Sequence, residues 1–156
     1  MMELRIPIVY ATETGTTELV ADEIVEAYRN HARIRFLAIR MDRTDPDIFE
    51  PGRTYLLITS STGKGELPRN ARAFSAALQA REARLTHVRY GILGFGDRHY
   101  AATFGGGPLT LDVVMQQAGA RRIGEIAQHD RQSGIYPEEF ALDWLACWLT
   151  LLESNS

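Results

Sequence analysis

Short apolar runs alternate with amphipathic segments along the chain. Runs rich in branched and aromatic residues occupy positions 6–10, 55–59 and 90–93, and each ends in a loop of small residues followed by helix-like sequence. Weaker strand candidates are residues 34–39 and 122–127, where apolar positions are fewer. The pattern therefore predicts five strands connected by helices.

Helical spacing of apolar side chains predicts the connecting helices at residues 17–30, 71–80 and 109–118. The first helix is expected to bury one stripe of side chains: Leu19, Val20, Ile24, Ala27 and Tyr28. Pro137 is expected to begin a last helix, in which Trp144 and Trp148 follow the same spacing. Tryptophans at this spacing are more typical of core packing than of a cofactor site.

Strands that alternate with helices predict a parallel sheet with right-handed crossovers and helices on both faces. The fold class is therefore α/β, with a doubly wound five-stranded parallel sheet. Pro7 conflicts with a central strand because it cannot donate to the ladder, although it is tolerated near the start of a strand. Ligands of such sheets bind beyond the carboxyl ends of the strands, so the loops after the three strong strands are the candidate site.

Composition narrows the class of protein. A length of 156 residues with 45% apolar content predicts a single domain over residues 1–156. The net charge of −3 comes from 17 basic and 20 acidic residues scattered along the chain, which argues against nucleic acid or an anionic membrane as a partner. No signal peptide or membrane span is evident, so we expect a cytoplasmic protein.

Cysteine and histidine offer no metal site. Cys147 is the only cysteine, which excludes an internal disulfide and a thiolate cluster, and we expect it to be a small buried apolar side chain. His31, His87 and His129 lack the spacing of metal ligands. We therefore predict no metal.

The loop after the first strand has the composition of an anion site. It contains no lysine or arginine and consists of Thr12, Glu13, Thr14, Gly15, Thr16 and Thr17. Hydroxyls and the free N–H groups at a helix start can donate to a phosphate, and a glycine permits close approach. Threonines at a helix start are commonly ordinary helix caps, and this loop taken alone favours that interpretation.

The other two loops resemble nucleotide motifs only in part. Residues 59–68 are not a Walker A loop, because Ile58 stands where a glycine is required. Residues 94–100 begin like a dinucleotide fingerprint, but His99 replaces the third glycine. Tyr100 could stack on a flat heterocycle or fold onto the core.

Taken together, the three loops resemble the FMN-binding loops of the flavodoxin family. The matching stretches are residues 12–16, residues 61–70, and residues 94–100 with Phe104, in the family's order. The similarity covers nearly the whole chain and looks closest to the small MioC-type flavodoxins and the FMN domains of diflavin reductases. It implies the strand order 2-1-3-4-5, and the short segment 121–137 implies a short-chain flavodoxin.

The resemblance implies that FMN is bound without a covalent bond. The first loop would surround the phosphate, the second would line one face of the ring, and Tyr100 would stack on the other. Thr62 departs from the pattern, because many flavodoxins have an aromatic residue there. The expected cofactor-binding residues are Thr12, Glu13, Thr14, Gly15, Thr16, Thr17, Ser60, Ser61, Thr62, Gly63, Lys64, Gly65, Gly94, Phe95, Gly96, Asp97, His99, Tyr100 and Phe104.

The function that the resemblance implies is the transfer of single electrons between a reductase and redox acceptor proteins, through small and transient contacts. We expect a monomer, and we expect Glu66 and Asp97 to influence the flavin potential through their charge. The alternative is a flavin-dependent, quinone-type reductase of the same fold. The chain has no insertion that could build a substrate pocket, which favours the carrier over an enzyme.

Overall fold

A parallel sheet forms the centre of the computed structural model, which describes residues 3–61, 65–80, 84–97 and 105–155. Its segments are β1 (Leu4–Ala11), β2 (Ile34–Arg40), β3 (Thr54–Ser60), β4 (Arg89–Gly96), β5 (Arg121–Arg122) and β6 (Ala127–Asp130). The order is β2-β1-β3-β4-β5, with β6 also paired to β4. The strand order expected from the sequence is confirmed.

Helices cover both faces of the sheet, as predicted. Their bounds are α1 (Thr16–Ala27), α2 (Arg69–Gln79), α3 (Gly106–Gln117) and α4 (Pro137–Ser154). Side chains of α1 and α4 form a core with one face of the sheet, and side chains of α2 and α3 form a core with the other. Within β1, Ile8 contributes to the first of these cores and Val9 to the second, because successive strand side chains point to opposite faces.

Pro7 fits into β1 because of where it lies along the strand. It is opposite Leu37 of β2, whereas the pairing of β1 with β3 begins one residue later, at Ile8. Pro7 therefore precedes the part of β1 that has neighbours on both sides. A missing N–H is tolerated at such a position.

The predicted fifth strand at residues 122–127 is wrong in one respect, because it is split into β5 and β6. Both segments pair in parallel with β4, at its two ends. Between them Gly124 has a φ of +78°, which a regular strand does not accommodate. The carbonyl of Ile123 accepts a hydrogen bond from the indole N–H of Trp148 (3.0 Å), so the backbone there bonds to α4.

Two expectations about burial are wrong. Leu19 is 51% exposed and Ala27 is also exposed, because the buried stripe of α1 consists of Thr17, Val20, Ala21 and Ile24. Cys147 is exposed as well. The buried positions of α4 include Leu145 and Trp148, and Cys147 lies between them on the outer side of the helix.

The tryptophan prediction is confirmed. Trp148 is buried and Trp144 packs against the same core, with their rings stacked at a centroid distance of 5.6 Å. Within the described ranges, no helix combines the length and apolar character needed to cross a bilayer.

Candidate functional site

The carboxyl ends of β1, β3, β4 and β6 lie along one edge of the sheet, because all their pairings are parallel. Helices α1, α2 and α3 begin at this edge, and their N-cap residues, Gly15, Pro68 and Gly105, have no side chain that accepts a hydrogen bond from the first turn. The first N–H groups of a helix have no partner within the helix and form its positive end. Among the described residues, the starts of α1 and α2 are therefore without a side-chain cap and can face an anionic ligand, whereas in α3 the N–H of Gly107 bonds to Ser61.

The first loop, residues 12–15, has its shape fixed by hydrogen bonds of its own. The N–H of Gly15 donates to Oγ1 of Thr12 (2.7 Å), and the buried Thr17 hydroxyl donates to the carbonyl of Ala11 (2.8 Å). Thr17 thus shapes the loop through its hydroxyl. Oγ1 of Thr14 and Oγ1 of Thr16 lie 3.4 Å apart toward the outside. The interpretation of these threonines as helix caps is wrong, since the N-cap of α1 is Gly15, which has no side chain.

The second loop packs directly against the start of α3. The N–H of Gly107 donates to Oγ of Ser61 (2.8 Å), and a Cβ on Gly107 would lie 2.5 Å from the carbonyl oxygen of Ser60. Gly106 likewise lies against the backbone of Gly65, with no room for a side chain. Of the predicted site residues in this loop, Thr62, Gly63 and Lys64 lie outside the described residues.

The third loop begins at the end of β4 with Gly96 and Asp97. Oδ1 of Asp97 accepts a hydrogen bond from Nε2 of Gln132 (2.9 Å), which joins this loop to the turn after β6. His99, Tyr100 and Phe104 are not among the residues that the structure describes. Phe95, at the end of β4, is buried and packs against His129, so its side chain belongs to the core.

Gly94 lies in β4, where the structure gives its lack of a side chain a packing role. A Cβ at this position would overlap the ring of Pro108 and the side-chain amide of Gln128. The predicted contact of Gly94 with the flavin therefore depends on its backbone groups and stays a prediction.

Three residues at this edge were not among the expected cofactor-binding residues: Gly106, Gly107 and Asn70, the last residue of the second matching stretch. Nδ2 of Asn70, in the first turn of α2, donates to the carbonyl of Thr12 in the first loop (3.1 Å). This contact joins residues 58 positions apart in the sequence. The contacts of Gly106 and Gly107 join α3 to the second loop, which is also distant in sequence. No local sequence pattern could have revealed these contacts.

Most of the buried polar side-chain atoms that have no hydrogen-bond partner within the described part of the chain lie near this edge. They include Oγ of Ser60, at the end of β3, and Nε2 of Gln128, beside Gly94. Buried polar groups are nearly always paired in folded proteins, so unpaired ones require an explanation. A polar ligand at the carboxyl edge is an explanation that fits Ser60.

Charges near the edge are partly compensated within the protein. Glu66 forms an ion pair with Arg72 of α2 (2.8 Å), with both side chains more than half exposed. Burial, and then the carboxylate of Glu18, raise the pKa of Tyr10 at the end of β1. In the described residues, no group of three or more His, Cys, Asp or Glu side chains is placed to hold a metal ion.

Comparison with known proteins finds a MioC protein and a larger reductase, which are the two kinds of relative that the sequence resemblance implied. The family model described as Flavodoxin matches residues 8–142. Protein MioC of Escherichia coli (strain K12) is 35% identical over 99 residues, which cover 64% of this chain and 67% of that protein. Methionine synthase reductase of Bos taurus is 29% identical over 134 residues, which cover 84% of this chain but 19% of that longer protein.

A solved structure shows the same similarity in three dimensions. A cysteine-to-serine mutant of flavodoxin from Pseudomonas aeruginosa superposes with a TM-score of 0.82 at 25% identity, over 96% of this chain and 99% of that chain. The fold class predicted from the sequence is confirmed.

Proposed function

Because the chain belongs to the flavodoxin family, whose cofactor is FMN, we propose that it binds one FMN without a covalent bond and carries single electrons between a reductase and redox acceptor proteins. The observation that carries the proposal is that the first and second loops and the starts of α1 and α2, which have no side-chain cap among the described residues, lie at one edge of the sheet. Residues 1–156 would form one FMN-binding domain, which we propose to be a cytoplasmic monomer.

The first loop would hold the phosphate. The uncapped N–H groups of α1 and the outward hydroxyls of Thr14 and Thr16 can all donate to phosphate oxygens. Glu13 is exposed, so its carboxylate can remain in water while its backbone N–H faces the loop. Donors of this kind bind a phosphate dianion without a lysine or arginine.

The second and third loops would hold the ring. Ser60, Ser61 and Gly65 would line one side, with the unpaired Oγ of Ser60 available as a donor, and backbone groups of Gly96 and Asp97 would meet the pyrimidine end. Thr62, Gly63, Lys64, His99, Tyr100 and Phe104 belong to the same proposal. When bound, the flavin supplies the one-electron chemistry, and the protein orients it and limits its contact with water.

Exposed apolar side chains near the carboxyl edge favour a carrier. Leu109, in the first turn of α3, is 56% exposed, and Ile135 and Tyr136, just before α4, are 46% and 70% exposed. Apolar side chains that remain in contact with water near a site suit brief docking of partner proteins. The partners would be an electron-donor reductase and electron-acceptor proteins.

The test is reduction of the FMN-loaded protein by NADPH with and without a flavodoxin reductase, followed by mixing with cytochrome c. A carrier should be reduced quickly only when the reductase is present and should then reduce cytochrome c. Rapid oxidation of NADPH by the protein alone, with turnover of a quinone, would contradict the proposal and indicate a small-molecule reductase.

A further inference from the structure

We propose that Asn70 is a positioning residue that sets the distance between the phosphate end and the ring end of the FMN site. The inference rests on the proposed function. Its starting point is the hydrogen bond from Nδ2 of Asn70 to the carbonyl of Thr12 (3.1 Å), which connects the first turn of α2 to the first loop.

The first loop is otherwise tied to its own neighbours. The bond between Gly15 and Thr12 lies within the loop, and the bond from Thr17 to Ala11 joins the start of α1 to the end of β1. These bonds fix the loop's shape. Asn70 fixes its position relative to α2, which follows the second loop directly.

The orientation of the Asn70 amide is decided by Thr12. With Nδ2 toward the carbonyl of Thr12, Oδ1 is buried and has no hydrogen-bond partner among the residues that the structure describes. The flipped amide would place Oδ1 against the carbonyl of Thr12, so that two acceptors would face each other. A buried unpaired oxygen costs free energy, so the amide stabilises the fold poorly. A role in holding the first loop for a ligand accounts for an amide at this position.

The consequence concerns the two ends of one ligand. FMN can engage the first and second loops together only if the loops are held at the distance that its own length sets. Two linked binding groups gain affinity only when their sites can be occupied at the same time. Asn70 should therefore matter to FMN, and not to riboflavin, which lacks the phosphate, or to inorganic phosphate, which lacks the ring.

The experiment compares these three probes on apo protein carrying Asn70→Ala or Asn70→Leu. The dissociation constant for FMN should rise about tenfold, the size expected for loss of one hydrogen bond. The dissociation constants for riboflavin and for inorganic phosphate should remain those of the wild type. Flavin fluorescence measures the first two, and the amide signal of Gly15 in NMR spectra measures the third.

The matched control is Gln116→Ala. It removes another side-chain amide that donates a bond of 3.1 Å, in this case to Asp112 within α3. This variant should keep the wild-type ratio of riboflavin to FMN dissociation constants. Thermal unfolding of each apo variant verifies that it is folded, and Asn70→Leu, which has nearly the same size, provides the measurement if Asn70→Ala does not fold.

Two results would overturn the role of Asn70. One is an unchanged ratio of riboflavin to FMN dissociation constants in the Asn70 variants. The other is an equal loss of inorganic phosphate binding, which would mean that Asn70 shapes the first loop itself. Failure of the wild-type protein to bind FMN would instead refute the proposed function.

Discussion

At Gly15 the backbone has a φ of +93°, a conformation that residues with a side chain rarely adopt. The sequence has a glycine here in a threonine-rich loop, a composition that suits an anion site but did not by itself establish one. It also suggested that the glycine leaves room for the ligand. The structure gives a different reason, because a Cβ at Gly15 would meet no protein atom within 4 Å, so the requirement is the left-handed backbone that starts α1.

Gly15→Ala should lower the free energy of unfolding by about 1 kcal/mol, the cost of placing alanine in this conformation. It should also weaken FMN binding more than riboflavin binding, because the strain distorts the loop assigned to the phosphate. Urea denaturation and flavin titration measure the two effects.

Gly52→Ala is the matched control for this change. Gly52 has a φ of +83° and equally open space around its Cβ, but it lies in the turn before β3, at the opposite edge of the sheet. The two variants should lose similar stability, and only Gly15→Ala should lose FMN affinity. Equal FMN affinities of the two variants would show that Gly15 does not contribute to FMN binding.

Among the elements, the start of α3 determines how the second loop is held. Gly106 and Gly107 allow its backbone to touch that of the loop, and the N–H of Gly107 bonds to Ser61. The sequence predicted this helix with a start at residue 109, three residues after the start that the structure shows, at Gly106. The glycines preceding that position carried no apolar periodicity, so their contact with the second loop could not be predicted.

Gly107→Ala should destabilise the protein by about 1 to 3 kcal/mol, the usual cost of overpacking. Helix propensity alone predicts the opposite sign, since alanine favours a helix by about 1 kcal/mol over glycine. The sign of the change in the free energy of unfolding, measured by chemical denaturation, therefore shows whether overpacking or helix propensity dominates. A stabilised variant would show that the second loop does not rest on α3 in solution.

Most of the elements themselves followed from the hydrophobic pattern, because strands buried on both faces produce continuous apolar runs. The fifth strand did not, because only Ile123 and Ile126 marked it and the bond from Trp148 to Ile123 draws the backbone toward α4. The exposed Cys147 shows the limit of composition, which predicts average burial and not the face of a helix.

In the molecule as a whole, a buried polar network joins α3 and β5 to the first residues of β4, away from the carboxyl edge of the sheet. The hydroxyl of Tyr90 donates to Oδ1 of Asp112 (2.6 Å), and Arg122 pairs with Oδ2 of the same carboxylate (2.5 Å). Burial, and then the neighbouring Asp112, raise the pKa of Tyr90 far above its ordinary value. Nothing in the apolar run that contains Tyr90 indicated this network.

The raised pKa of Tyr90 predicts a loss of stability in alkali. The unfolded chain releases the phenolic proton near pH 10, while the folded protein retains it, so the free energy of unfolding should fall as pH rises above about 10. Tyr90→Phe should flatten this decline. Urea denaturation between about pH 9 and about pH 11 measures the slope.

Tyr136→Phe provides the comparison, since it removes a phenol that is 70% exposed. It should leave the alkaline decline in place. If the Tyr90 variant declines as steeply as the wild type, the network contributes nothing to the pH dependence.

Titration of the apo protein with FMN and riboflavin tests most directly whether the carboxyl edge of the sheet binds FMN. We expect one FMN per chain, an altered visible absorption spectrum with quenched flavin fluorescence, and weaker binding of riboflavin. A protein that stays colourless after removal of free FMN, or that binds the two flavins equally well, would contradict FMN binding at this edge.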